Sequence, residues 1–190
     1  MDKIQTTLLN KFKKRQLAHF YIIKNASAYQ NEHDHFFKNW IEELITQIVR
    51  SCDIPSQIQN LADVLFIEKT DSQKSKNSLV IDNFQELFQM HETKPLQMPH
   101  QFVAILHAHH LTPTVSNKLL KILEEPRNHM TIFLSNPMSQ NIMVSIESRA
   151  LNIRLAPPTD NQKRREIAAA LATQFKNQIL LSEFLAIHKG

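Results

Sequence analysis

The sequence predicts an α/β protein, a three-layer sandwich in which a five-stranded parallel sheet is buried between helices. Three observations predict it. Strand-like and helix-like segments alternate five times along 190 residues. The strand segments are apolar throughout instead of alternating in polarity, the pattern of strands covered on both faces. Hydrophobic residues make up 42% of the chain, enough for a substantial core.

The elements follow in order. Residues 2–15 are amphipathic and helical. "HFYII" (His19–Ile23) is a short run of β-formers and the first strand. From Glu32 to Arg50, apolar residues at Phe37, Trp40, Ile41, Leu44, Ile45 and Ile48 keep helical spacing. "DVLFIE" (Asp63–Glu68) is the second strand, and "TDSQKSKN" (Thr70–Asn77) is a polar loop. Residues 79–91 form a helix on Leu79, Phe84, Leu87 and Phe88, and "FVAIL" (Phe102–Leu106) is the third strand. Thr112 offers an N-cap with Pro113 at the first helical position. That helix buries Val115, Leu119, Ile122 and Leu123 and stops at Pro126, because proline lacks an N–H and restricts the residue before it. "MTIFLS" (Met130–Ser135) is the fourth strand, 138–147 contain a short helix, and "LNIRL" (Leu151–Leu155) is the fifth strand. Two further helices are expected over 159–188.

The composition excludes several classes. No apolar run approaches the roughly 20 residues that span a bilayer, and Met1–Lys14 lacks the apolar segment of a signal peptide. These features point to a cytoplasmic protein without a membrane partner. Cys52 is the only cysteine, so neither an internal disulfide nor a cysteine-rich zinc site can form. The net charge is +4, with basic clusters at Lys11, Lys13, Lys14 and Arg15 and at Lys163, Arg164 and Arg165. Such an excess permits contact with nucleic acid without requiring it.

Nucleotide-hydrolysing proteins of this layout run from the first strand into a glycine-rich loop, whose backbone N–H groups close on phosphate without a Cβ in the way. Here "HFYII" is followed by "KNASAYQNEHDH", and the only glycine of the chain is Gly190. Lys24, the one lysine near the strand end, precedes the expected loop. Hydrolysis also needs a carboxylate at the end of the third strand to hold magnesium. Leu106 and His107 stand there; leucine cannot bind Mg²⁺, and imidazole is a poor ligand for so hard a cation. The two losses are independent and agree on a degenerate nucleotide site, with no cofactor and no metal expected.

The stretch Ile105–Pro158, "ILHAHHLTPTVSNKLLKILEEPRNHMTIFLSNPMSQNIMVSIESRALNIRLAPP", resembles the AAA+ (P-loop NTPase-like) module of bacterial DNA polymerase III clamp-loader subunits. The likeness is carried by Leu111-Thr112, Asn117, Leu119-Leu120-Lys121, Leu123-Glu124-Glu125-Pro126 and Ser148-Arg149. "RQLAHFYII" (Arg15–Ile23) and "SLVIDNFQEL" (Ser78–Leu87) extend it more weakly. The missing phosphate loop points within that family to the delta-prime subunit. The resemblance implies that Arg149 and Ser148 match the family's Ser-Arg-Cys motif, whose arginine acts in trans on ATP held by a neighbouring ATPase subunit; Ala150 stands where that motif has cysteine. It implies other clamp-loader subunits, ATPase and delta-like, as partners, with the sliding clamp and primer-template DNA reached indirectly, and no ATPase activity in this chain itself. The expected domains are an AAA+ core over 1–156 and a partial helical lid over 157–190, with the family's zinc module and collar domain absent.

Other candidates divide between a sharp and a bland role. Glu124 and Glu125 are acids at a helix C-terminus, opposing its dipole. A cation across an interface, or within the sheet, is one compensation; solvation beside Lys121 and Arg127 is the other. With Asn117 they form the expected interface set. Ser135 and Asn136 occupy the family's sensor turn, where an ordinary Asn-Pro turn is the simpler reading. His107, His109 and His110, like His33 and His35, have a metal-like spacing but are read as polar loop. Phe36, Phe37 and Trp40 fit a core-facing helix. A stand-alone interaction or DNA-binding module built on the same scaffold is the alternative function, and an enzyme using the histidines a third.

Overall fold

In the computed structural model, the described residues are 2–25, 30–54, 57–68, 78–106, 108–136 and 142–155. The helices expected over 159–188, the loop Thr70–Asn77 and His107 lie outside them.

The elements run α1 (Lys3–Lys13), β1 (Phe20–Asn25), α2 (Gln30–Ser51), β2 (Val64–Ile67), α3 (Gln85–Glu92), β3 (Gln101–Ile105), α4 (Pro113–Glu124), β4 (Met130–Ser135), α5 (Val144–Glu147) and β5 (Leu151–Leu155). The strands form one parallel sheet in the order β2-β3-β4-β1-β5. β4 is inserted between β3 and β1, pairing Phe20 with Ile132 on one side and Val103 with Ile132 on the other.

The pleat sorts β1, β3 and β4 into two cores, whereas the edge strand β5 buries only Leu155 and leaves Leu151, Asn152 and Arg154 exposed, so it departs from the pattern of a strand covered on both faces. Phe20, Ile22, Val103, Ile105, Ile132 and Leu134 face one side, packing with Leu87 of α3, Leu119 and Leu123 of α4, and Ile146 of α5. Tyr21, Ile23, Phe102, Ala104 and Phe133 face the other, with Leu8 of α1 and Phe37, Trp40, Ile41, Leu44 and Ile48 of α2. Successive strand residues point to opposite faces, so an unbroken apolar strand supplies both. Each such fully buried large side chain contributes about 1.5–3 kcal/mol. The three-layer α/β sandwich is therefore written in the strands themselves. Trp40 and Phe37 are core residues as expected, and the indole Nε1 also donates to Asp2 Oδ2 at 2.6 Å.

Helix ends follow local chemistry. Asp2 caps α1 with Gln5 in a reciprocal capping box. Thr112 accepts from Val115 N, with Pro113 in the first turn of α4. Gln16 N bonds Lys11 O and Ile54 N bonds Val49 O, each a six-residue closure of the kind that normally places glycine in the left-handed conformation. This chain puts Arg15 (φ 55°) and Asp53 (φ 56°) there instead. One boundary differs from expectation. The helix predicted over 79–91 begins with a 3₁₀ turn at Ile81–Phe84, and Leu79 lies before it, bridged to Leu111. Leu79 is apolar because it is buried next to the sheet, not because it lies on the helix face.

Candidate functional site

Parallel α/β sheets bind ligands beyond the carboxyl ends of their strands, where the strand order reverses. Here that point is β1, because the chain leaves it towards β2 at one edge and later reaches β5 at the other. β1 delivers Lys24 to this edge. Its ammonium donates to Glu147 Oε1 on α5, and the lysine side chain is only 14% exposed. The cation nearest the expected phosphate position is thus engaged by a carboxylate 123 residues away in sequence.

The neighbouring strand ends are apolar or inward-facing. Leu106, just beyond β3, is buried in the core shared with α1 and α2, where a magnesium-holding acid would be required. Ser135 and Asn136 close β4. Both are buried, and Asn136 N donates to Ile23 O at 2.9 Å, fastening the turn to β1. Ser135 Oγ is buried without a hydrogen-bond partner among the described residues. The turn's packing is that of a structural closure.

α5 is a single turn, pinned by Ile146, which is fully buried among α3 and α4 residues. Its end leaves Ser148 and Arg149 exposed, while Ala150 packs against the same core. Ser148 Oγ donates to Ser145 O at 3.1 Å. Arg149 is held at two points: Nη1 donates to Ser145 O at 2.7 Å and Nη2 to Glu124 Oε1 at 2.8 Å. The cation that offsets Glu124 at the C-terminus of α4 is therefore Arg149, not Lys121 or Arg127. Arg127 instead lies 3.6 Å from Glu92. Asn117, Lys121 and Glu124 are exposed at helical spacing along one stripe of α4, which Arg149 continues. Glu125 is exposed, and its carbonyl meets His91 Nε2 at 3.2 Å.

Of the histidines, His109 and His110 sit in a 3₁₀ turn with ring centroids 3.8 Å apart. The side chains of His33, His35 and His107 lie outside the description, and among the described residues no three His, Cys, Asp or Glu converge as a metal site. No helix among the described residues is long and apolar enough to cross a membrane.

Two polar features had no sequence signal. Glu147 is remote from Lys24 in the chain. Asp63, read only as the start of a strand, is a buried carboxylate accepting N–H bonds from Leu96, Gln97 and Met98 at 2.6–3.1 Å.

Comparison with known proteins agrees with this geometry. No curated protein sequence matches the chain. Among solved structures, a DNA polymerase III gamma subunit-related protein from Thermotoga maritima superposes with a TM-score of 0.56 at 18% identity. The match covers 80% of this chain and 47% of that one, so the chain spans less than half the length of its structural neighbour. Residues 1–159 match the family model described as DNA polymerase III, delta subunit. A parallel sheet with β4 inserted beside β1, the Leu-Glu-Glu-Pro helix end and a family match over more than half the sequence converge: the chain belongs to the DNA polymerase III delta-subunit family of clamp-loader proteins.

Proposed function

We propose that this chain is a delta-prime-like, non-catalytic clamp-loader subunit whose contribution to ATP hydrolysis is Arg149, offered in trans to a neighbouring ATPase subunit. The observation that carries the reading is the exposed guanidinium of Arg149, fixed to α4 and α5 by two hydrogen bonds at the end of the Ser-Arg segment. A guanidinium held in place can stabilise charge developing on a transferring phosphoryl group without reorganising at the moment of reaction.

The chain's own nucleotide site supports the division of labour. Lys24 is paired with Glu147, Leu106 stands where an acid is needed, and the segment directly after β1 holds no glycine. The reading includes no ATP turnover by this chain alone. It places the chain in the cytoplasm, contacting ATPase and delta-like subunits and reaching the sliding clamp and primer-template DNA through them. Asn117, Glu124 and Glu125 form part of the contact face.

The test is a loader reconstituted with Arg149→Ala. An arginine acting in trans is worth about 10³–10⁵ in turnover at the site it completes. A loss approaching that range in DNA-stimulated hydrolysis at the adjoining site is expected. Unchanged turnover refutes the role.

A further inference from the structure

At the amino ends of the strands, opposite the edge described above, lies a cleft of about 880 Å³. Its walls come from the end of α1, the end of α2, and the segments leading into β1, β3 and β4. Lys13 lines it from the last turn of α1, Arg15 from just beyond that helix, and Arg127 and His129 from the loop before β4. Phe12 and His100 form an aromatic wall, with centroids 6.0 Å apart, edge to face. Among the described residues no carboxylate lines the cleft; Glu92, which lies 3.6 Å from Arg127, stands outside it and is largely exposed.

The charge here is more than fold maintenance requires. Helices α1, α2 and α4 all end at the cleft, and each C-terminus carries about half a negative charge. Three full cations exceed that combined demand about twofold. They also account for most of the chain's imbalance: 22 Lys and Arg face 18 Asp and Glu, and without these three the count is 19 against 18. One of them, Arg15, occupies the left-handed position at the end of α1 that glycine fills at no cost.

We propose that this cleft binds a single strand of nucleic acid, its phosphodiesters against Lys13, Arg15 and Arg127 and a base against Phe12. A basic groove floored by aromatic rings is the combination that holds single strands without reading sequence. A free nucleotide is the poorer fit, because terminal phosphates are typically cradled by helix N-termini, and this cleft gathers C-termini. The inference stands on the cleft alone and does not depend on Arg149, which is carried by α5.

The test is fluorescence anisotropy of a labelled dT20 titrated with the full chain. Expected binding at 50 mM salt lies at about 1–100 µM. With three phosphates neutralised, the log–log salt slope is about −2, so raising salt to 200 mM weakens binding about 20-fold. Arg127→Ala, a change at a half-exposed loop residue, reduces the slope by about 0.7, and Arg15→Ala does the same. Thermal melts of each variant confirm folding. No binding at 50 mM salt overturns the proposal. So does unchanged affinity in Lys13→Ala/Arg15→Ala/Arg127→Ala, or a loss produced instead by neutralising Lys163, Arg164 and Arg165. Equal displacement of the oligomer by dTTP at matched phosphate concentration also overturns it, in favour of a free-nucleotide site.

Discussion

Arg149 Nη2 lies 2.8 Å from Glu124 Oε1, joining the two segments that the family resemblance singles out separately. Both side chains are well exposed, 36% and 52%. Exposed pairs contribute about 0–1 kcal/mol, so Arg149→Ala should shift the unfolding free energy of the isolated chain by no more than about 1 kcal/mol. Urea denaturation checks this. A larger loss means that Arg149 is structural, and a fall in loader activity could not then be assigned to chemistry.

Glu124 should therefore act on turnover through Arg149. In the reconstituted loader, Glu124→Gln keeps an acceptor for the guanidinium and should retain most hydrolysis. Glu124→Ala leaves Arg149 tethered only to Ser145 and should lower kcat several-fold with little change in KM. A rise in turnover on removing Glu124 would show that the carboxylate competes with phosphate for the arginine instead of orienting it.

Asp63 predicts a large stability effect far from any chemistry. Three backbone N–H groups depend on its buried carboxylate. Hydrogen bonds to a charged group are worth about 1.5–3 kcal/mol, and orphaned buried donors add to the loss. Asp63→Ala should cost about 3 kcal/mol or more by chemical denaturation, and Asp63→Asn less, since one oxygen still accepts.

His100 should make stability depend on pH. Burial, reinforced by the nearby His129, holds its pKa down to about 4 from 6.5. Thr131 Oγ1 donates to Ala18 O at 3.0 Å, so it accepts from His100 Nε2 at 2.8 Å, fixing a neutral ring with its proton on Nε2. Between pH 6.5 and about 4 the unfolded chain binds a proton that the folded chain refuses. This contribution is fully present above about pH 6.5 and is lost as pH falls towards 4, in all about 3 kcal/mol. Substituting His100→Gln should flatten that slope in a series of denaturation curves.

Ser135 and Asp53 should be improvable. Ser135 Oγ is buried and unpartnered among the described residues, so Ser135→Ala should be neutral or stabilise by up to about 1 kcal/mol. Asp53 is left-handed, so Asp53→Gly should raise stability by about 0.5–1 kcal/mol, the relieved strain offset by glycine's added freedom when unfolded. Shifts in thermal midpoint measure both.

Much of the fold is legible in the sequence because its signals are local. The strands Met130–Ser135 and Leu151–Leu155 fall where apolar runs place them, and Thr112, Pro113 and Pro126 bound α4 by backbone chemistry alone. The candidate site is legible only in part. Arg149, Glu124 and Asn117 are visible as motif residues, yet nothing in the chain says that Arg149 and Glu124 touch. Nor does it say that Lys24 is claimed by Glu147, or that the Lys13–Arg15 run shares a cleft with Arg127. The first two are contacts between segments 25 and 123 residues apart, and all three are fixed by the sheet order and not by any local periodicity. Leu79 shows the opposite failure, since an apolar residue beside a helix is indistinguishable by spacing from one on it.

The insertion of β4 next to β1 has a consequence for how the chain is made. β1 finds no strand neighbour until Met130–Ser135 has been synthesised, since its partners among the described strands are β4 and β5. At ribosomal speeds of about 5–20 residues per second, the interval between Asn25 and Met130 lasts about 5–20 seconds. Throughout that time "FYII" waits with both edges unpaired. Until then α1, made before β1, and α2, made just after it, are the elements that can cover this apolar segment during translation.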